Sequence, residues 1–154
     1  MKGFISSNWR EHLSEKEREG LESAFKFAAK ELGIVDDKFK CYIVLCDKID
    51  SEDGVLVFGD YTNYPYEKRG RIRISTKYCR SFLKSITLFH EMVHAKQFYN
   101  RELMVYTVGI AWKGKFVKQG TKYKDLPYEI EARKLEKKLF LKWIVHRFTK
   151  WLKS

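Results

Sequence analysis

Proline is nearly missing from this chain, with two residues in 154, and glycine is sparse at nine. That scarcity excludes long flexible linkers and low-complexity tails, which are built from those residues. No internal repeat is visible, which excludes a solenoid. No apolar run approaches the roughly 18 residues that a membrane-spanning helix needs. The opening residues 1–10 lack the apolar core of a signal peptide, so the expected location is the cytoplasm. Cysteine is limited to Cys41, Cys46 and Cys79, with no CxxC pair. Cys41 and Cys46 are an odd number of positions apart in a strand-like run, so they point to opposite sheet faces and cannot easily bond. An unpaired, odd set of thiols fits a reducing compartment.

What is present is charge and aromatic surface. Charged residues make up 33% of the chain, hydrophobic residues 44% and aromatics 16%, with a net charge of +11. A chain of this length supports one domain, residues 1–154, burying roughly 68–70% of its unfolded surface. The positive charge favours encounter with acidic partners.

Ser14 and Glu17 form a capping box, each able to satisfy a free backbone donor of the other. Leu21, Ala24, Phe25, Ala28 and Leu32 then recur at helical spacing before Gly33, which predicts a helix over about 15–32 whose apolar stripe packs on a sheet. Residues 41–46 and 55–59 read as strands, and 61–67, with Asn63 and Pro65, as a loop. Residues 71–75 alternate charge with isoleucine, as in a half-buried strand, and the arginines suit an exposed edge. From 81 to 99 the pattern is helical, with Phe82, Leu83, Ile86, Phe89 and Val93 as buried surface. Residues 103–110 and 115–117 look like hairpin arms around Trp112-Lys113-Gly114. A last helix opens at Asp125 and Pro127, a capping acid and an early proline, and runs to about 151. Its expected apolar face is Leu135, Leu139, Phe140, Trp143, Ile144 and Phe148. The order is α+β, a small, mostly antiparallel sheet with an N-terminal helix, a central helix and a C-terminal helix.

The central helix carries His90-Glu91-Met92-Val93-His94. Histidines four apart lie about 6 Å apart along one face, a spacing that lets two imidazoles converge on one Zn²⁺. Glu91, one residue round the helix, can then reach a water on the metal and take its proton. A catalytic zinc needs a third protein ligand, and the best source is Pro127-Tyr128-Glu129-Ile130-Glu131-Ala132 at the start of the last helix. Glu129 shares a face with the small Ala132, which permits close approach. Glu131 points about 200° away and stands in reserve.

His-Glu-x-x-His followed downstream by Glu-x-x-Ala resembles the gluzincin branch of zinc metallopeptidases. More particularly, the segments 90–97, 112–115 and 127–132 resemble small bacterial and phage-encoded metallopeptidases, over roughly residues 70–140. The resemblance implies a minimal zincin-like domain with one Zn²⁺ per chain, held by His90, His94 and Glu129. Glu91 is the implied general base, and the implied activity is hydrolysis of peptide bonds by zinc-activated water. It also implies that residues 71–75 line the cleft and pair with an extended protein or peptide substrate. One departure is Arg133, where many gluzincins have an Asp or Asn that steadies a ligand histidine. Tyr106, Tyr123, Tyr128 and His146 are the candidates to polarise the substrate carbonyl, and Gln97 lies on the His94 side of its helix as cleft wall or surface.

From 133 to the last residue, eight Lys/Arg face a single Glu, interleaved with Trp143, Phe148 and Trp151. This end is either an amphipathic packing helix with a solvated basic face or a contact for nucleic acid or another anionic surface. The alternative to an enzyme is therefore a basic nucleic-acid-binding protein with a structural or vestigial zinc site.

Overall fold

Parallel pairing of Lys2–Ile5 (β1) with Lys40–Cys46 (β2) starts the main sheet, with two helices between them, Trp9–His12 (α1) and Glu15–Glu31 (α2). The computed structural model describes residues 2–5, 9–34, 40–49, 57–65, 69–79 and 81–152. The fold is α+β, with an N-terminal helix and a C-terminal helix. Gly59–Tyr64 (β3) and Arg69–Ser75 (β4) complete a four-stranded sheet of order β1-β2-β4-β3. β2 and β4 run parallel, with Ile43 opposite Ile72 and Leu45 opposite Ile74, whereas β3 and β4 are antiparallel. A separate antiparallel sheet comprises Leu103–Tyr106 (β5), Gly109–Trp112 (β6) and Lys115–Phe116 (β7). Three of the five described pairings are thus antiparallel, but the four-stranded sheet itself is mixed.

The capping box forms as expected: the Ser14 amide donates to Glu17 Oε2 at 3.0 Å and the Glu17 amide to Ser14 Oγ at 3.4 Å. Gly33 ends the helix with φ +70°, a conformation in which a Cβ would be strained. The buried stripe of Leu21, Ala24, Phe25 and Ala28 differs from expectation in its partner. The helix packs chiefly against the helix Ser81–Tyr99 (α3) and to a smaller extent against β1, in one core with the sheet residues Ile43, Leu45 and Ile72.

Two readings of the strands need correction. Residues 71–75 are not an edge: β4 is hydrogen-bonded to β2 on one side and β3 on the other. Alternation reports which face is buried, whereas edge or centre depends on lateral backbone pairing, which leaves no mark on the alternation. The outer strand on that side is β3, which lies largely in the stretch read as a loop; of the expected strand over 55–59, residues 55 and 56 lie outside the described residues. Asn63 is a local turn signal that pairing with Gly70 of β4 overrides, whereas Pro65 lies just past the end of the strand at Tyr64. Asp60 sits opposite Arg73, whose Nε donates to Oδ1 at 2.9 Å. The Tyr61 ring lies where a Cβ at Gly70 would be, so any larger residue there would force the ring to shift.

The long hairpin arm over 103–110 also divides. β5 and β6 turn at Thr107-Val108, and β6 and β7 at Lys113-Gly114, both at positive φ (47° and 80°), as a type I′ turn requires. The last helix, Pro127–Trp151 (α4), has Pro127 in its first turn, but its N-cap is Leu126, without a side-chain cap; Asp125 instead ends a 3-10 turn, Tyr123–Asp125. α3 lies across β3 and β4, and α4 packs along α3. Phe27, Phe89 and Trp143 join the three long helices, with Phe27 and Trp143 centroids 5.2 Å apart and Phe89 edge-on to Trp143 at 6.4 Å. Such aromatic pairs add about 0.5–1.5 kcal/mol each beyond area burial. Ile144 and Phe148, expected on this core face, are exposed.

Candidate metal centre

Where α3 and α4 cross, Glu129 and Ala132 of α4 are buried, and the absence of a larger side chain at Ala132 lets the helix backbones approach. His90, His94 and Glu129 converge there and form a group that could hold a metal ion. His90 Nε2 and His94 Nε2 lie 3.2 Å apart. Glu129 Oε2 is 3.3 Å from His90 Nε2, and Oε1 is 3.2 Å from His94 Nε2. Donors on a tetrahedral ion with arms of ~2.0–2.1 Å sit about 3.3 Å from one another; the two Nε2 atoms have that separation, and each Glu129 oxygen has it from one of the imidazoles.

The hydrogen bonds behind the ligands decide where the imidazole protons are. His90 Nδ1 lies 2.6 Å from Glu136 Oε2, a carboxylate that accepts, so Nδ1 donates. His94 Nδ1 lies 2.8 Å from Gln97 Oε1. The Gln97 amide orientation is fixed independently: its Nε2 donates to the Tyr128 carbonyl at 3.0 Å and to Glu131 Oε2 at 3.1 Å. Its oxygen therefore accepts from His94. In these tautomers both Nε2 atoms present lone pairs to Glu129, as imidazole ligands do. Glu129 Oε2 is buried with no hydrogen-bond partner. Two imidazole lone pairs facing a buried carboxylate whose Oε2 accepts no hydrogen bond fit a cation.

The same cluster attracts a proton when no other cation is offered. Burial works to lower the His90 pKa, but hydrogen bonds to Glu129 and Glu136 and the charge of Glu91 outweigh it and raise it to about 10. For Glu129 burial works upward, and the hydrogen bonds with His90 and His94 prevail, holding it well below the usual carboxylate range. Glu91 is 5% exposed. Burial pushes its carboxyl up to about 7, against the pull of His94 and His90 and with the help of Asp60 and Glu129. The start of β3 passes over it: a Cβ at Gly59 would lie 3.2 Å from Glu91 Oε1 and 2.4 Å from the Thr87 methyl.

Each remaining candidate has a definite place. Glu131 does not join the ligands; Lys113 donates to it at 3.1 Å, and Lys96 lies 3.6 Å away. Gln97 is fully buried and is neither cleft wall nor surface. Arg133 approaches the third ligand, with Nη1 3.8 Å from Glu129 Oε2, so it answers a carboxylate and not a histidine. Reading the motifs alone leaves out Glu136, although it falls seven residues after Glu129 on the stripe that continues through Leu139 and Trp143. Tyr123 is largely exposed, and its pKa is raised by partial desolvation of the hydroxyl and by its hydrogen bond with Glu129. The Tyr128 ring stands edge-on to His94 at 6.2 Å. Tyr106 is exposed beside Phe116 on the small sheet. His146 stacks on Trp143 at 5.8 Å, within the aromatic cluster. The three cysteines are free, and Cys41 is buried while Cys46 is partly exposed.

Comparison with protein-family models, curated proteins and solved structures finds no match to this chain. Among the described residues no helix is long and apolar enough to cross a membrane.

Proposed function

We propose that the protein is a zinc-dependent metallopeptidase with His90, His94 and Glu129 as ligands and Glu91 as general base. The observation that supports it best is the pair of Nε2 atoms 3.2 Å apart facing the Glu129 carboxylate, whose two oxygens each lie 3.2–3.3 Å from one imidazole, with both tautomers fixed from behind by Glu136 and Gln97. Two imidazole nitrogens and one carboxylate suit zinc better than hard cations such as Mg²⁺ or Ca²⁺, which take oxygen donors. A purely structural site has no use for a buried carboxylate beside its first ligand, and Glu91 is that carboxylate.

A zinc ion held there supplies a Lewis acid that polarises a carbonyl and brings the pKa of water toward about 7. Glu91 accepts the proton of the water that attacks the scissile carbonyl, then returns it to the amine as the C–N bond breaks. Glu136 and Gln97 hold the imidazoles in orientation throughout. Tyr123, which interacts with the Glu129 carboxylate, is the candidate to donate to the substrate carbonyl oxygen.

Metal analysis of purified protein, followed by hydrolysis assays on a mixed peptide library, tests this reading. We expect about one zinc per chain, lost in His90→Ala, His94→Ala and Glu129→Ala. Glu91→Gln should retain zinc and lose hydrolysis. No zinc after metal addition overturns the reading. Zinc without hydrolysis, combined with salt-sensitive DNA binding that Glu91→Gln leaves unchanged, replaces it with the nucleic-acid-binding alternative.

A further inference from the structure

α4 carries apolar side chains on two opposite faces. Leu139 and Trp143 are buried against the core, and Trp143 is the last buried residue of the helix. Roughly two further turns extend beyond it. Leu141 (65% exposed), Val145 (62%), Phe148 (58%) and Leu152 (63%) stand in solvent, joined by Ile144. At about 100° per residue these five fall within about 60° of Phe148, on the side opposite Leu139 and Trp143. The stripe is continuous, so it is not the scatter of single exposed hydrophobes normal for a surface.

Charge selects the occupant. Lys138 and Arg147 border the stripe on either side, Lys150 follows behind, and residues 137–152 contain no acidic side chain. A second copy docked through this face would bring cations against cations with no carboxylate to answer them. A nucleic acid would use the cations and leave the aliphatic stripe in water. An anionic bilayer surface satisfies both: apolar side chains enter the acyl boundary while flanking Lys and Arg meet headgroup phosphates. Phe148 has Trp151 beside it, ring centroids 6.0 Å apart, and aromatic residues favour that interface.

We propose that the end of α4 is an in-plane docking site for anionic lipid, with Leu141, Ile144, Val145, Phe148 and Leu152 as the inserted face. The inserted stretch is about 16 Å long, half the thickness of a bilayer core, so it lies on the membrane and does not span it. Docking leaves the opposite face of α4, with Glu129 and Glu136, turned toward the protein.

Vesicle flotation of the full chain tests the proposal. Binding is expected with phosphatidylserine–phosphatidylcholine vesicles and not with phosphatidylcholine alone. The double variant Leu141→Ser/Phe148→Ser should lower the partition coefficient at least about tenfold. Lys138→Gln/Arg147→Gln should lower it about fivefold or more, with a weaker salt dependence. All four side chains are exposed, though Arg147 lies over the Trp143 ring, and an unchanged thermal midpoint establishes that the variants fold. Equal binding by wild type and the Leu141→Ser/Phe148→Ser variant overturns the proposal. So does a dimer in gel filtration, or duplex DNA binding, that this variant abolishes while vesicle binding is absent.

Discussion

The two ends of α4 are similar in helical content and rich in apolar and basic residues, but they solve different problems. The first half presents Glu129, Ala132 and Glu136 to α3 on one stripe, so two carboxylates reach two histidines across a close helix crossing. The second half turns its stripe of aliphatic side chains outward and is held by Trp143, with His146 against Phe27 and Lys142 paired with Glu31 of α2. Burying a carboxylate is tolerable at the first end because imidazoles answer it; at the second the aliphatic stripe stays in solvent because no element packs over it among the described residues. A helix of one periodic character therefore divides by its neighbours.

Three substitutions probe that division, beginning with the largest effect. Trp143→Ala removes the side chain that joins α2, α3 and α4, and should cost about 3–5 kcal/mol of stability, measured by urea unfolding. A loss below about 1 kcal/mol would mean that the helix is not anchored there. Glu136→Gln keeps a hydrogen-bond partner for His90 but removes its charge, and should weaken zinc binding about 10–100-fold, or about 1.4–2.8 kcal/mol, in competition titration with a chelator. An unchanged affinity would remove Glu136 from the site. Phe148→Ala, on the outward stripe, should change stability by less than about 0.5 kcal/mol in the same urea experiment. A loss comparable to that of Trp143→Ala would show that the outward stripe is covered in solution.

Much of this site is legible in the amino-acid sequence. His90 and His94 share a face through helical geometry alone, and Glu129 follows from a small neighbour, Ala132, on the facing helix. The supports are less legible because they are tertiary: Glu136 meets His90 only through the angle at which α4 crosses α3. Gln97 sits one turn from His94, so its spacing is visible, but its burial and amide orientation depend on the Tyr128 carbonyl and on Glu131. Gly59 shows the same limit. Nothing local distinguishes it, and its need for a missing Cβ arises only where β3 crosses Thr87 and Glu91.

By itself the sequence determined what is local: the capped start of α2, the span of α3, the proline start and approximate end of α4, and the two imidazoles on one helical face. These follow from hydrogen bonds and periodicities within a few residues. Only the tertiary structure decided that β4 is central and β3 outer, because lateral strand pairing is independent of facial alternation. It alone also decided which apolar stripe of α4 is core. Both stripes have helical spacing, and the one that is buried is the one another helix happens to meet.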